Sequence, residues 1–252
     1  MKAMIFAAGL GTRLRPLTND RPKALVELDG RTLLEIVLAR LRTFGVSEVV
    51  INVHHFADKI CEYLAAHKNF GMRIEISRED VLLDTGGGLK KAAHFFLADR
   101  ESVGRDEPIV LHNVDLVSSI DLARLAETHK AKRALATLAV QERETSRYLL
   151  FDEDLRLCGR CLGRDATAEM VRPSRHVRAL AFSGIHVVSP RLLGRLSDLG
   201  IFSIVTSYMR LAGEGEMILG FRADEWYWRD LGRLEDLEKA ASELKQRALG
   251  AP

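Results

Sequence analysis

From Ala3 to His112 short apolar runs alternate with amphipathic stretches, and few folds accept that order. Ala3-Met4-Ile5-Phe6 has the length and composition of a buried strand. Residues 32–44 carry apolar side chains at helical spacing, and Gly45 reads as their stop. Glu48 to Val53 predicts a strand, Phe56 to His67 a helix, and Met72 to Ser77 another strand. A turn at Gly86, Gly87 and Gly88 follows, then a helix from about Leu89 to Ala98 and a buried strand from Pro108 to His112. Such regularity implies parallel strands joined by right-handed crossovers. The expected class is α/β: a Rossmann-like, mostly parallel mixed sheet flanked by helices. Ligands of these sheets sit beyond the carboxyl ends of the strands, where the loop after Phe6 and Asp115 both fall.

That first loop reads Ala7-Ala8-Gly9-Leu10-Gly11-Thr12-Arg13-Leu14. Two glycines let backbone N–H groups approach a ligand closely. Arg13 and Lys23 add positive charge, and the combination suits a polyphosphate. It is not the P-loop pattern G-x-x-x-x-G-K-S/T, because the lysine lies twelve residues after Gly11. Nor is it the dinucleotide fingerprint G-x-G-x-x-G, since Leu14 stands at the third glycine.

The second half is less regular. Ala134–Val140, Tyr148–Phe151 and Ala179–Val188 predict strands, and Phe202–Ala212 a helix. Met217–Phe221 and Trp226–Trp228 predict short strands, and residues 233–248 an amphipathic helix. Residues 152–175, rich in charge, glycine and arginine, read as a loop or short hairpin near the substrate side. The length of 252 residues suits one large domain.

Net charge is +2, from 37 basic and 35 acidic residues, so nucleic-acid binding driven by overall charge is not expected. No apolar run approaches the roughly 18 residues of a membrane span, and the amino terminus runs straight into a strand. A cytoplasmic protein without a membrane partner is expected. Cys158 and Cys161 form a C-x-x-C pair with no second pair to complete a zinc site, and they read as structural. His54, His55 and His112 also read as structural, and of Trp226, Tyr227 and Trp228 at least one should be core by strand alternation.

The longer string is more specific than the glycines alone. Gly9-x-Gly-Thr-Arg-Leu-x-Pro-Leu-Thr18, followed by Pro22-Lys23-Ala24-Leu25-Val26, resembles the nucleotidyltransferases that make nucleotide sugars from an NTP and a sugar 1-phosphate. Asp84-Thr85-Gly86-Gly87-Gly88, Asn113-Val114-Asp115, Phe182-Ser183-Gly184-Ile185 and Trp228-Arg229-Asp230-Leu231-Gly232 follow in the family's order. The short form with a Thr-Gly-Gly-Gly loop looks most like the branch that uridylylates N-acetylmuramate 1-phosphate. Sugar-1-phosphate guanylyltransferases are also similar. The family's longer members carry a left-handed β-helix, for which this chain leaves no room.

The resemblance implies a nucleotide-binding half of about residues 1–130 and a sugar-binding half of about 131–252, and it implies roles residue by residue. Ala8, Gly9, Gly11 and Thr12 would line the nucleotide's phosphates with backbone donors. Arg13 would fork onto the leaving pyrophosphate, Lys23 would face the α-phosphate, and Gly86 and Gly87 would lie against base and ribose. Asp115 and Asp230 would hold magnesium, which needs only one or two protein carboxylates beside water and phosphate oxygens. Arg13, Lys23 and Asp115 would form the catalytic set. Asn113, Glu169, Ser183 and Gly184 would meet the sugar. Two departures stand out: Met170 replaces the lysine usual after the glutamate, and Val114 replaces the glycine usual before the metal aspartate, where it would crowd that point or redirect the sugar. Relatives often form dimers, which leaves a homodimer open.

The chemistry explains the residue types. A sugar phosphate is already an anion near neutral pH, so no base must strip a proton. Positioning and charge neutralisation should carry the catalysis. Two alternatives share the fold: a transferase of CMP to phosphocholine, marked by an aromatic cage, and a non-catalytic nucleotide-sugar sensor. The second predicts loss of Arg13, Lys23, Asp115 or Asp230, and all four are present.

Overall fold

The computed structural model describes residues 1–97, 107–163 and 167–249. In chain order its first half carries β1 (Lys2–Phe6), the hairpin β2 (Glu27–Leu28) and β3 (Arg31–Thr32), α1 (Leu33–Thr43), β4 (Glu48–Val53) and α2 (Ala57–Ala66). There follow β5 (Arg73–Arg78), α3 (Asp84–Lys91), α4 (Ala93–Leu97), β6 (Ile109–Asn113), β7 (Leu116–Ser118) and α5 (Leu122–Lys132). The second half adds β8 (Ala136–Gln141), β9 (Tyr148–Phe151), β10 (Leu157–Cys161), β11 (Glu169–Met170) and the long β12 (Arg178–Val188). It ends with α6 (Ile204–Gly213), β13 (Ile218–Arg222), β14 (Trp228–Asp230) and α7 (Leu234–Leu249).

One ten-stranded sheet runs through both halves. β5, β4, β1 and β6 pair in parallel, as the alternation predicted. β12 then pairs antiparallel with β6 along its second half, with β9 along its first, and with β8 from Ala181 to Val188 across a bulge. Residue alternation assigns the two faces. Ala3 and Ile5 of β1 join a core with Leu34, Val37, Leu38 and Leu41 of α1 and with Leu122 and Leu125 of α5. Met4 and Phe6 face the opposite core, with Leu89, Phe95, Phe96 and Tyr208. Each fully buried aliphatic in these layers contributes about 1.5–3 kcal/mol. Thr32 caps α1, its hydroxyl accepting from the Glu35 amide at 3.1 Å.

Two expectations shift. The glycine run Gly86 to Gly88 is not a turn before a helix: α3 begins at Asp84 and contains all three glycines. The end expected at Ala98 for the helix from Leu89 falls outside the described residues. The strand expected at Trp226–Trp228 lies two residues later, at Trp228–Asp230, because it pairs with β7 rather than following its own alternation. The segment 152–175 contains a hairpin of β10 and β11, with residues 164–166 outside the described ones.

Candidate active site

Phe6, Asn52 and Asn113 lie side by side at the carboxyl ends of three adjacent parallel strands. The chain leaving β1 is tied to its neighbours there. The Ala7 amide donates to Asn52 Oδ1 at 2.8 Å, and Asn52 Nδ2 donates to Glu79 Oε1 at 2.8 Å. Glu79 Oε2 in turn accepts from the Leu83 amide at 2.9 Å. Asn52 and Glu79 are buried, and their polar atoms are satisfied by this chain of bonds, so it fixes the start of the loop.

Gly11 makes the turn possible. Its φ is +64°, and a Cβ would meet Thr18 Cγ2 at 3.0 Å and Lys23 Cβ at 3.1 Å. Thr18 closes the turn by donating its hydroxyl to the Gly11 carbonyl at 2.8 Å. Gly9 differs: a Cβ there would meet nothing within 4 Å. It borders a cavity of about 350 Å³ together with Ala8, Lys23, Asn52, Glu79, Thr85, Asn113 and Asp115, closed on one side by Leu82 and Ile201. Missing protein contact beside a cavity leaves room for a ligand to reach the backbone. Gly11 and Thr12 stand one step beyond the lining, at the start of a short helical turn, Thr12–Leu14.

The carboxylates arrive from distant segments. Asp115 sits in the turn between β6 and β7. β14 pairs antiparallel with β7 so that Asp230 lies opposite Leu116, and the Leu231 amide donates to the Asp115 carbonyl at 2.8 Å. Lys23 Nζ pairs with Asp115 Oδ2, both side chains being largely buried. Burial holds the Asp230 carboxyl above the usual carboxylate range, the Asp115 charge adding to it, while Lys23, the Gly232 amide and Arg13 oppose the shift. The Arg13 guanidinium is close enough that a Cβ on Gly232 would meet its Nη2 at 2.9 Å. Thus the loop arginine is turned toward Asp230 and the lysine toward Asp115.

These two carboxylates suit a hard divalent cation. Among the described residues no group of three or more His, Cys, Asp or Glu could hold a metal. Two carboxylates with water and phosphate oxygens match magnesium rather than zinc. A bound cation would also relieve the repulsion that raises Asp230.

Beyond Asn113 a second cavity of about 720 Å³ opens, lined by Asp230, Gly184, Ser183, Glu169, Trp228 and the arginines Arg143, Arg147 and Arg160. Gly184 packs on Asn113, where a Cβ would come within 2.7 Å of Nδ2. All four residues expected at the sugar therefore border this one space. Two of them already have protein partners. Ser183 is buried with its hydroxyl 3.4 Å from Gln141 Oε1 and its carbonyl accepting from Trp228 Nε1 at 2.7 Å. Glu169 already binds Arg160 Nε at 2.6 Å.

Gly86 and Gly87 do not line the smaller cavity; Asp84 and Thr85 of the same motif do. The amides of both glycines donate to the Phe202 carbonyl, at 2.9 and 3.3 Å. A Cβ on Gly86 would enter the Phe202 ring at 2.3 Å, and one on Gly87 would strike the Gly200 carbonyl at 2.6 Å. Their glycine character serves close packing of the 199–203 loop, which carries Ile201 to the cavity. Val114 is a buried core residue that lines the smaller cavity and does not border the larger one. It therefore leaves the larger space uncrowded.

The remaining expectations concern bystanders. His112 is fully buried, Nδ1 lying 2.7 Å from the Asn113 carbonyl, and burial lowers its pKa to about 4. Cys158 and Cys161 are free, buried thiols, both pushed up by burial. Of the aromatic triplet, Trp226 stacks on Phe221 and Tyr227 donates to Glu243, whereas Trp228 borders the larger cavity. Sequence reasoning missed Asn52, Glu79 and Arg143. Asn52 ends a parallel strand, which was a usable signal; Glu79 and Arg143 follow from packing alone.

A nucleotidyl transferase family model matches residues 2–247. The chain is 35% identical over 241 residues to N-acetylmuramate alpha-1-phosphate uridylyltransferase of Caulobacter vibrioides, covering 91% of each. It is 30% identical to a mannose-1-phosphate guanyltransferase of Yarrowia lipolytica, covering 94% of this chain and 62% of that longer protein. The crystal structure of HddC from Yersinia pseudotuberculosis complexed with GMP-PN superposes with a TM-score of 0.74 at 21% identity, over 96% of this chain and 99% of that one. That likeness concerns the fold.

Proposed function

Because this chain belongs to the nucleotidyl transferase family, we propose that it joins UTP and N-acetylmuramate 1-phosphate into the UDP-sugar with release of pyrophosphate. The general reaction, an NTP and a sugar 1-phosphate giving an NDP-sugar, is the activity to which the names of its relatives point. The choice of UTP and of the muramate acceptor rests on the Caulobacter relative, which matches nearly the whole length of both chains.

One observation carries the mechanism: two cavities meet at Asn113, with Lys23 and Asp115 on the smaller side and Asp230 on the larger. The NTP would lie in the smaller cavity, phosphates toward Gly9 and base toward Leu82 and Ile201. The acceptor would lie in the larger one. Its phosphate oxygen forms a bond to the α-phosphorus while the bond to the pyrophosphate oxygen breaks, and no proton needs to move. Lys23 neutralises charge at the α-phosphate and Arg13 holds the departing pyrophosphate. Asp115 and Asp230 would hold magnesium, which when bound supplies positive charge to phosphate oxygens. Asn113, Gly184 and Glu169 orient the sugar. The whole chain acts as one domain, with its halves on either side of Asn113. Among the described residues no helix is long and apolar enough to cross a membrane.

Pyrophosphate release, measured with magnesium across four NTPs and a set of sugar 1-phosphates, tests this reading. Release only when UTP and N-acetylmuramate 1-phosphate are both present is expected. Preference for GTP with a mannose phosphate would transfer the assignment to the guanylyl branch, and no release from protein that binds NTP would overturn the enzymatic reading.

A further inference from the structure

Arg143 is a guanidinium that makes no ion pair among the described residues, the Asp230 carboxylate acting on it only at longer range. It lies in the segment between β8 and β9, partly buried in the wall of the larger cavity. Its guanidinium carbon stands 3.8 Å from the centre of the Trp228 ring. Trp228 is itself fixed, its Nε1 donating to the Ser183 carbonyl at 2.7 Å. One terminal nitrogen of Arg143 donates to the Phe182 carbonyl at 2.9 Å, and Nε is buried without a hydrogen-bond partner among the described residues. Among those residues no carboxylate pairs with it. In the same cavity wall Arg160 is neutralised by Glu169 at 2.6 Å.

A cation withdrawn from water without a counter-ion is unfavourable unless a ligand supplies the charge. Trp228 covers one face of the fork, so it presents its edge, the geometry that matches an oxyanion. The Arg160–Glu169 region is already internally neutral and suits hydroxyl groups. Arg143 shares the larger cavity with Asp230, and so lies on the reacting side. We propose that Arg143 receives the phosphate of the acceptor and holds the attacking oxygen beside Asp230. This rests on the nucleotidyl-transfer reading above. The side chain needs no proton change: it forms charged hydrogen bonds to the phosphate and keeps them while the new bond to phosphorus forms.

The test uses the full chain with Trp226→Phe, leaving Trp228 as the remaining tryptophan of the two. Its fluorescence is followed while glucose 1-phosphate, mannose 1-phosphate or N-acetylmuramate 1-phosphate is added, with and without a non-hydrolysable UTP analogue. Phosphate-free N-acetylmuramate is the parallel arm. At least one phosphate ester should give a saturable change and the phosphate-free acid none. Arg143→Gln should weaken that binding roughly ten- to a hundredfold, with Arg143→Lys in between. In turnover the acceptor KM should rise while the KM for NTP holds. If Arg143→Gln does not fold, Arg143→Lys carries the comparison. Equal loss of NTP and acceptor binding would show a structural role and overturn the proposal. A response to N-acetylmuramate but to no phosphate ester would also overturn it, giving the arginine to an acidic group on the sugar. If no pair of substrates turns over, the functional reading fails, yet the titration still decides whether Arg143 binds phosphate.

Discussion

The smaller cavity takes its walls from the ends of three parallel strands and the glycine loop between Ala7 and Leu14, while the larger takes its walls from side chains on β9 to β12, β14 and the segments between them. In the first, backbone geometry does most of the positioning: Gly9 leaves space and Gly11 makes the turn. In the second, long side chains do it, through pairs such as Arg160 with Glu169 and Arg143 over Trp228. A site made of backbone is encoded by a short contiguous string. A site made of side chains from several strands depends on pairings that no string contains. The difference teaches where specificity can change. The smaller cavity is constrained by the turn itself, whereas the larger one can be retuned one side chain at a time.

The comparison can be attacked first at its shared boundary. Asp115→Ala and Asp230→Ala should each lower kcat by on the order of a thousandfold or more, since removing even a single pre-placed charge partner typically takes away two to three orders. Pyrophosphate release checks this, with circular dichroism to show a folded protein, and near-normal turnover in either variant would remove that aspartate from the reacting centre. Lys23→Ala should lower kcat by about a hundredfold. A change in KM alone would mean uniform binding instead. On the backbone-built side, Gly86→Ala must push against the Phe202 ring. It should destabilise by roughly 1–3 kcal/mol and raise the KM for NTP through the displaced 199–203 loop, seen as a lower Tm. An unchanged Tm would show that the loop yields freely.

The seam between the halves has its own signature. His112 on β6 and His186 on β12 are fully buried, and burial lowers their pKa values to about 4 and about 3. Both are neutral when folded, but in the unfolded chain each takes up a proton below about pH 6.5. Stability should therefore hold above that pH and fall as pH drops toward 4, by about 1.4 kcal/mol per pH unit for each extra proton bound in the unfolded state. Urea melts from pH 7 to 4.5 would show the slope, and His186→Gln should flatten it. The smallest effect is expected on the side-chain-built side: Glu169→Gln, at an exposed ion pair, should raise the acceptor KM only severalfold and leave stability within about 1 kcal/mol. A large loss of kcat there would place Glu169 nearer the reacting atoms than its pairing with Arg160 implies.

What could be read in advance follows the same division. The alternation of apolar runs was sufficient for β1, β4, β5 and β6 and their parallel order. The strand ending in Asp230 was read two residues early, because its position is set by pairing with β7. Gly86 and Gly87 were read as facing the base, but their amides meet Phe202, more than a hundred residues away in the chain.

By itself the sequence determined the α/β order and the place of the glycine loop, and it singled out Arg13, Lys23, Asp115 and Asp230 as candidates, because periodicity and turn chemistry are local and a contiguous motif carries its own geometry. Only the tertiary structure decided that Lys23 meets Asp115, that Arg13 turns toward Asp230, that Asn52 and Glu79 anchor the loop, and that Arg143 faces the larger cavity over Trp228. Those contacts join residues dozens to more than two hundred positions apart. Their partners are chosen by strand register and by the close packing of buried groups, and neither leaves a pattern in the local order of amino acids.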